Sequence, residues 1–204
     1  MDITQQAYNK IAKDWHKDHK SDSWWVDGTD NFASKLEEGS EVLDVGCGAG
    51  TKSKYLKARR LIITGIDFSE GLLEIAHREV PDADFILLDM RKVAQLGRKF
   101  DGVFAQASLL HIPKNEAPQV LLKLVDVVKQ GGYFYVAVKG IRVGGVEEEV
   151  KVESDYGYEY KRFFSYYSLE EIHQYFLDAG LNVVWQNVKR DGNTDWIQVI
   201  GQKL

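Results

Sequence analysis

Glycines alternate through Gly46-Cys47-Gly48-Ala49-Gly50, directly after the run Val42-Leu43-Asp44-Val45. A glycine turn there lets the main chain approach a ligand closely, because no Cβ stands in the way. The spacing narrows the ligand. A dinucleotide fingerprint, G-x-G-x-x-G, needs glycine at 51, where this chain has Thr51. Nor does the turn match the phosphate loop G-x-x-x-x-G-K-[ST].

Carboxylates follow at the ends of the next two apolar runs. Asp67 lies roughly 20 residues past the turn, where a carboxylate can accept both ribose hydroxyls of an adenosine. Asp89 can accept a hydrogen bond from an adenine amino group, and Met90 beside it offers a soft surface to the ring. The expected ligand is therefore an adenosine with a non-phosphate tail lying over the glycine turn. His111, in Ala107-Ser-Leu-Leu-His-Ile-Pro113, titrates near neutrality in its ordinary state and has two readings. It is either a general base or a wall of the pocket. Cys47 reads as a small residue filling a close-packed turn, with a reactive thiol as the competing reading. Arg162 has two readings too, a contact for a substrate carboxylate or a solvated charge. The tyrosines and phenylalanines between Tyr156 and Tyr167 read mainly as the inward half of a strand, with an aromatic substrate pocket as the alternative. His16 and His19 are too few to make a zinc site.

The elements that must position these residues follow from periodicity. Short apolar runs at 41–45, 61–66, 83–88, 101–106 and 132–138 alternate with segments of helical period. That alternation predicts an α/β fold, an open doubly wound sheet of parallel strands with crossover helices. Ser69 is placed to cap one helix, and Gly131-Gly132 is expected to stop another. Further on, Ser168-Leu-Glu-Glu171 has the form of a capping box. Two strands joined by a turn at 191–193 then predict an antiparallel hairpin closing the sheet. The first 40 residues predict a helical layer, with Tyr8, Ile11, Ala12 and Trp15 at helical spacing and a second helix near Asn31–Glu38. Residues 140–161 read as a loop or irregular hairpin over one end of the sheet, with Glu147, Glu148 and Glu149 as a solvated loop.

A chain of 204 residues, 44% hydrophobic and 28% charged, fits one ordinary globular domain. The net charge of -5 argues against an extended nucleic-acid surface. One cysteine excludes an intramolecular disulfide. With a polar beginning and no long apolar run, the expected setting is soluble and cytoplasmic, with no membrane partner.

The stretches Glu41–Gly50, Gly65–Ala76, Leu87–Met90, Phe100–Pro113 and Leu124–Lys139 resemble the successive motifs of class I S-adenosylmethionine-dependent methyltransferases. The resemblance extends from about Tyr8 to Lys203 and is specific through the order and spacing of its parts. It implies a Rossmann-like seven-stranded sheet in the order 3-2-1-4-5-7-6, strand 7 antiparallel, with an N-terminal helical cap. It also implies one domain over 1–204, made of a cap (1–40), a cofactor-binding core (41–139) and a substrate-side insertion with the C-terminal hairpin (140–204). S-adenosyl-L-methionine would be the cofactor and S-adenosyl-L-homocysteine the product. Gly46, Gly48 and the backbone around them, including Asp44, Cys47 and Gly50, would hold the methionine portion. Asp67 would take the ribose, Phe68 would pack near the adenine, and Asp89 with Met90 would frame the base. Gln106 and Ala107 would reach the methionyl end, while Tyr8 and Trp15 would cover the cofactor. The implied activity is methyl transfer to a small-molecule acceptor by a monomer or homodimer, with His111 as the candidate base. Methylation of protein or RNA and a non-catalytic adenosyl-ligand sensor are the alternatives.

Overall fold

The computed structural model describes residues 2–204. Nine strands and six helices follow the expected rhythm, in the order α1 (Ile3–His19), α2 (Val26–Ala33), β1 (Glu41–Val45), α3 (Thr51–Lys57), β2 (Ile62–Asp67) and α4 (Glu70–Glu79). Then come β3 (Asp84–Leu87), a 3-10 segment (Met90–Leu96), β4 (Phe100–Gln106), a 3-10 turn (Leu109–His111), α5 (Ala117–Asp126) and β5 (Val128–Lys139). The chain ends with β6 (Glu148–Glu153), β7 (Tyr160–Ser165), α6 (Leu169–Asp178), β8 (Leu181–Asp191) and β9 (Thr194–Lys203).

Seven strands form one sheet in the order β3-β2-β1-β4-β5-β9-β8, and β9 runs antiparallel to both its neighbours. This is the expected order, with β8 and β9 as its sixth and seventh strands. The helices cover both faces because alternate residues of the buried strands point opposite ways. On one face, Phe134, Val136 and Val199 pack under Leu121 and Leu124 of α5 and Phe176 of α6. On the other, Val42, Phe104 and Tyr135 meet Phe32 of α2 and Leu56 of α3. Tyr8 and Ile11 of α1 pack on Leu72 and Ile75 of α4, which fixes α1 above the C-terminal ends of the strands.

The predicted caps are present. The Ser69 side chain accepts from Leu72 N at the start of α4, and Ser168 with Glu171 forms a complete capping box on α6. Three boundaries differ from expectation. The second helix spans Val26–Ala33, because Phe32 is the residue that reaches the core and the chain turns just after it. Helix α5 ends at Asp126, since Val128 already takes a ladder position opposite Phe100. Gly131-Gly132 lies within β5, where the register with β4 shifts, and not at the end of a helix.

Residues 148–165 form a two-stranded antiparallel sheet, β6–β7. Glu147 pairs with Lys114 at 3.2 Å, Glu148 accepts from Lys114 N, and Glu149 accepts from Tyr166 Oη at 2.7 Å. Glu147 is an exposed loop residue, as expected, while Glu148 and Glu149 open β6 and help to anchor the small sheet. The sheet is fastened to α1 by Phe163 N donating to Thr4 Oγ1, Lys10 Nζ to Glu159 O and Tyr158 Oη to Asp14. No helix among the described residues is long and apolar enough to cross a membrane.

Candidate active site

A cavity of about 320 Å³ lies at the C-terminal ends of β1, β2, β4 and β5, roofed by α1 and the β6–β7 sheet. Open α/β sheets bind ligands at this edge. Of the residues expected at the site, Tyr8, Trp15, Asp44, Gly46, Cys47, Gly48, Asp67, Phe68, Asp89, Met90, Gln106, Ala107 and His111 all line it.

The turn after β1 has the shape that its glycines allow. Gly46 sits at φ +70, and a Cβ there would collide with Ser108. At Gly48, φ is +55 and the Trp15 ring lies 3.6 Å from where a Cβ would stand. Gly50 is the exception among the expected residues. It does not face the cavity; it precedes α3 and lets that helix pack on α4, since a Cβ would meet Ala76 at 3.3 Å.

Asp67 is buried, and its carboxylate accepts from Gly48 N at 2.9 Å and Ser69 N at 2.8 Å. Burial pushes its pKa up to about 6, against the lowering effect of these backbone donors. A carboxylate has roughly four lone-pair positions, so acceptor capacity is left over. Asp44 is likewise raised to about 6 by burial, with Ser53 Oγ donating to it at 2.6 Å. Burial, reinforced by Asp67 and Asp44, pushes the Cys47 thiol well up, which favours its role as a small packing residue. Asp89 caps the 3-10 segment by accepting from Arg91 N at 2.8 Å and also pairs with the Arg91 guanidinium at 3.2 Å.

The end of β4 is the least satisfied part of the cavity. Gln106 Nε2 and Oε1 and Ser108 Oγ are buried and meet no hydrogen-bond partner among the described residues. Between them Ala107 is held at φ +54, a conformation rare outside glycine. Backbone strain beside orphaned polar groups is characteristic of ligand-binding positions.

His111 belongs to a chain of hydrogen bonds whose direction is fixed. Its Nδ1 lies 2.7 Å from Phe163 O, and a carbonyl only accepts, so Nδ1 carries the hydrogen. Nε2 therefore presents its lone pair, which accepts from Tyr8 Oη at 2.9 Å. Arg162 Nη1 donates to Tyr8 Oη at 3.0 Å, and Arg162 makes a two-pronged pair with Glu153 at 2.7 Å on each side. Burial, with further lowering by Arg162 and Lys139, brings the His111 pKa down to about 3 despite the bond to Phe163. The imidazole is thus neutral with its lone pair engaged.

Residues 42–132 match the family model described as a methyltransferase domain. That stretch is a methyltransferase domain. The demethylmenaquinone methyltransferase of Renibacterium salmoninarum is 35% identical over 99 residues, covering 48% of this chain and 41% of that protein. The trans-aconitate 2-methyltransferase of an Enterobacter species is 35% identical over 103 residues, covering 50% and 40%. The chain therefore spans less than half the length of these curated relatives. Among solved structures, the magnesium protoporphyrin IX methyltransferase of Synechocystis with bound S-adenosylhomocysteine superposes with a TM-score of 0.76 at 17% identity, over 98% of each chain. That likeness is one of fold.

The methyltransferase domain fits its family's cofactor by the state of its own atoms. Gln106 and Ser108 lack partners that a polar amino-acid tail would supply, Asp67 keeps acceptor capacity for hydroxyls, and Gly48 leaves room under Trp15. Sequence reading missed Lys52, Trp24, Ser108, Lys139 and Trp196, all of which line the cavity. Lys139 carried one signal, a charged residue ending the apolar strand Tyr133–Val138. Trp196 carried none, because it reaches the cavity only through the pairing of β9 with β5. In the aromatic cluster, Phe164 faces the cavity and Tyr160 and Tyr167 are buried in packing, while Tyr156, Tyr158, Phe163 and Tyr166 are only partly buried, so the core reading expected for most of the set holds for the smaller part of it.

Proposed function

We propose that this chain transfers the methyl group of S-adenosyl-L-methionine to a small-molecule acceptor. The observation that carries the reading is the pairing of a buried, hydroxyl-competent Asp67 with unpartnered Gln106 and Ser108 across one strand-end cavity. The named relatives, which include methyltransferases of demethylmenaquinone and trans-aconitate, support a small acceptor.

When bound, the cofactor supplies an activated methyl group on a sulfonium sulfur, which departs as a neutral thioether as the acceptor's lone pair takes the methyl carbon. The chain's own residues bind and align. Backbone around Gly46 and Gly48, with Asp44, Cys47, Gln106 and Ala107, would hold the methionine portion. Asp67 would accept from the ribose hydroxyls, and Phe68, Asp89 and Met90 would frame the adenine. Tyr8 and Trp15, on the roof helix, would exclude water and fix the approach, which is where displacement chemistry gains most. His111 is better suited to positioning than to proton abstraction, because it holds the Tyr8 hydroxyl in place and its lone pair is occupied.

Calorimetry with S-adenosylmethionine, S-adenosylhomocysteine and NAD tests the ligand: the two adenosyl-sulfur compounds bind and NAD does not. Transfer of labelled methyl from S-adenosylmethionine into the small-molecule fraction of a lysate tests the activity. Binding of NAD alone overturns the reading, and label appearing only in protein or RNA replaces the acceptor class.

A further inference from the structure

Lys139 ends β5 with its ammonium at the cavity wall, and no acceptor or carboxylate among the described residues lies within bonding distance. Its nearest neighbours are aromatic, with the Phe164 ring centre 4.3 Å and the Trp196 ring centre 5.8 Å from Nζ. The other cavity cations nearby have partners. Arg162 is committed to Glu153 and the Tyr8 hydroxyl, and Lys52 lies in the field of Asp44 and Asp22. Lys139 is instead pushed down to about 8, by burial first and by Arg162 next. Glu153 acts on it only from a distance, with no ion pair between them, and a partly buried ammonium left without a paired counter-charge is costly, so a fold that keeps one at a ligand cavity has a use for it.

The position indicates which ligand group the charge serves. Lys139 pairs across the ladder with Trp196 and stands two strands from β1, roughly 10 Å from the glycine turn at ordinary strand spacing. It faces the aromatic end of the cavity, where Trp24 stacks on Trp196 with ring centres 3.7 Å apart. One ammonium beside the Phe164 and Trp196 rings matches a single negative charge on a flat apolar body, although Asp22, Asp191 and Thr194 also line the cavity. A phosphate would call for more donors than this end offers.

We propose that Lys139 anchors the methyl acceptor through a carboxylate, so that the acceptor is a small, planar monocarboxylate. This rests on the methyl-transfer reading, which supplies the need for an acceptor subsite. Arg162, for which the sequence left a carboxylate contact or a solvated charge open, already has Glu153 as its counter-charge and also donates to the Tyr8 hydroxyl, so Lys139 is the cation we assign to the acceptor.

The test is calorimetry on protein saturated with S-adenosylhomocysteine, using matched acid and amide probes: benzoate and benzamide, cinnamate and cinnamamide, indole-3-acetate and indole-3-acetamide. For at least one pair the acid binds roughly tenfold or more tightly than the amide, the scale expected of a charge-assisted contact. Lys139→Met erases that preference, Lys139→Arg keeps it, and both leave S-adenosylhomocysteine affinity within about twofold of wild type. The unliganded Lys139→Met protein also melts higher than wild type, since an uncompensated charge is gone. Equal binding of acid and amide across all three pairs overturns the proposal. So does a Lys139→Met variant that loses S-adenosylhomocysteine, because the lysine would then serve that ligand's own carboxylate. A wild-type protein that prefers the acids but binds no adenosyl ligand would sink the methyl-transfer reading and leave the anion site standing.

Discussion

Asp67 is the proposed ribose contact, and its two backbone donors decide how it behaves. Gly48 N and Ser69 N hold the carboxylate in one orientation, so its remaining lone pairs are aimed and not free to turn. Asp67→Asn loses the charge while keeping the shape, and adenosyl-ligand affinity falls by roughly 10- to 100-fold, the scale of a charged hydrogen bond. Calorimetry measures this directly. Because burial raises Asp67 to about 6, the free protein takes up a proton there as pH falls below that value. Ligand hydroxyls donate to the charged form, so wild-type affinity declines from pH 7 to pH 5 and the Asp67→Asn variant lacks this component of the decline. The place of Asp67 at the cavity was legible in the sequence because it ends the second apolar run, at the strand edge where open α/β sheets bind ligands. The Tyr8–His111 bond was not, since nothing in the spacing of residues so far apart says that they meet.

At the scale of elements, the roof is the part that differs most from what periodicity suggests. Strands β6 and β7 mix Glu148, Lys151, Glu153, Lys161 and Arg162 with apolar residues, and β7 is the strand that packs on α1. A two-stranded sheet is marginal alone, so its stability has to come from those contacts. Its sequence signal is correspondingly weak, whereas the core strands announce themselves by continuous apolar runs. The buried Glu153–Arg162 pair is the main fastening, with side chains only 8% and 11% exposed. Glu153→Gln leaves the guanidinium short of a counter-charge and costs about 3 kcal/mol or more. Chemical denaturation detects that loss. A double-mutant cycle with Tyr8→Phe shows coupling between the two sites, because Arg162 touches both side chains. On α6, Ser168→Ala removes a capping box and costs about 1 kcal/mol; that helix end was readable from four residues.

Across the whole molecule, protonation of buried groups pulls stability in opposite directions. Asp44 and Asp67 have raised pKa values, so they favour the folded state at low pH and lose that contribution as pH rises through about 6. His111 is lowered to about 3, so its contribution is complete above its ordinary value near 6.5 and fades as pH falls from there towards 3. His111→Gln removes the second effect and leaves the first. Relative to wild type, the variant gains stability at pH 5 compared with pH 7, which denaturation curves at the two pH values measure. The alternation of strand and helix was legible because each element repeats one local rule, whereas the seven-stranded order came from the family resemblance, since local periodicity does not fix which strands lie side by side. The C-terminal hairpin showed where the parallel pattern stops.

The run of contacts from Glu153 through Arg162, Tyr8 and His111 to Phe163 joins α1, both strands of the small sheet and the 3-10 turn after β4. Parts tied in series do not open one at a time. Trp15, about two helical turns along α1 from Tyr8, belongs to the same helix and lies over Gly48. On the proposed function, α1 and the small sheet together form one gate that either ligand would have to pass. Loosening that gate with Glu153→Gln shortens the residence time of S-adenosylhomocysteine, seen as a faster dissociation rate in stopped-flow tryptophan fluorescence.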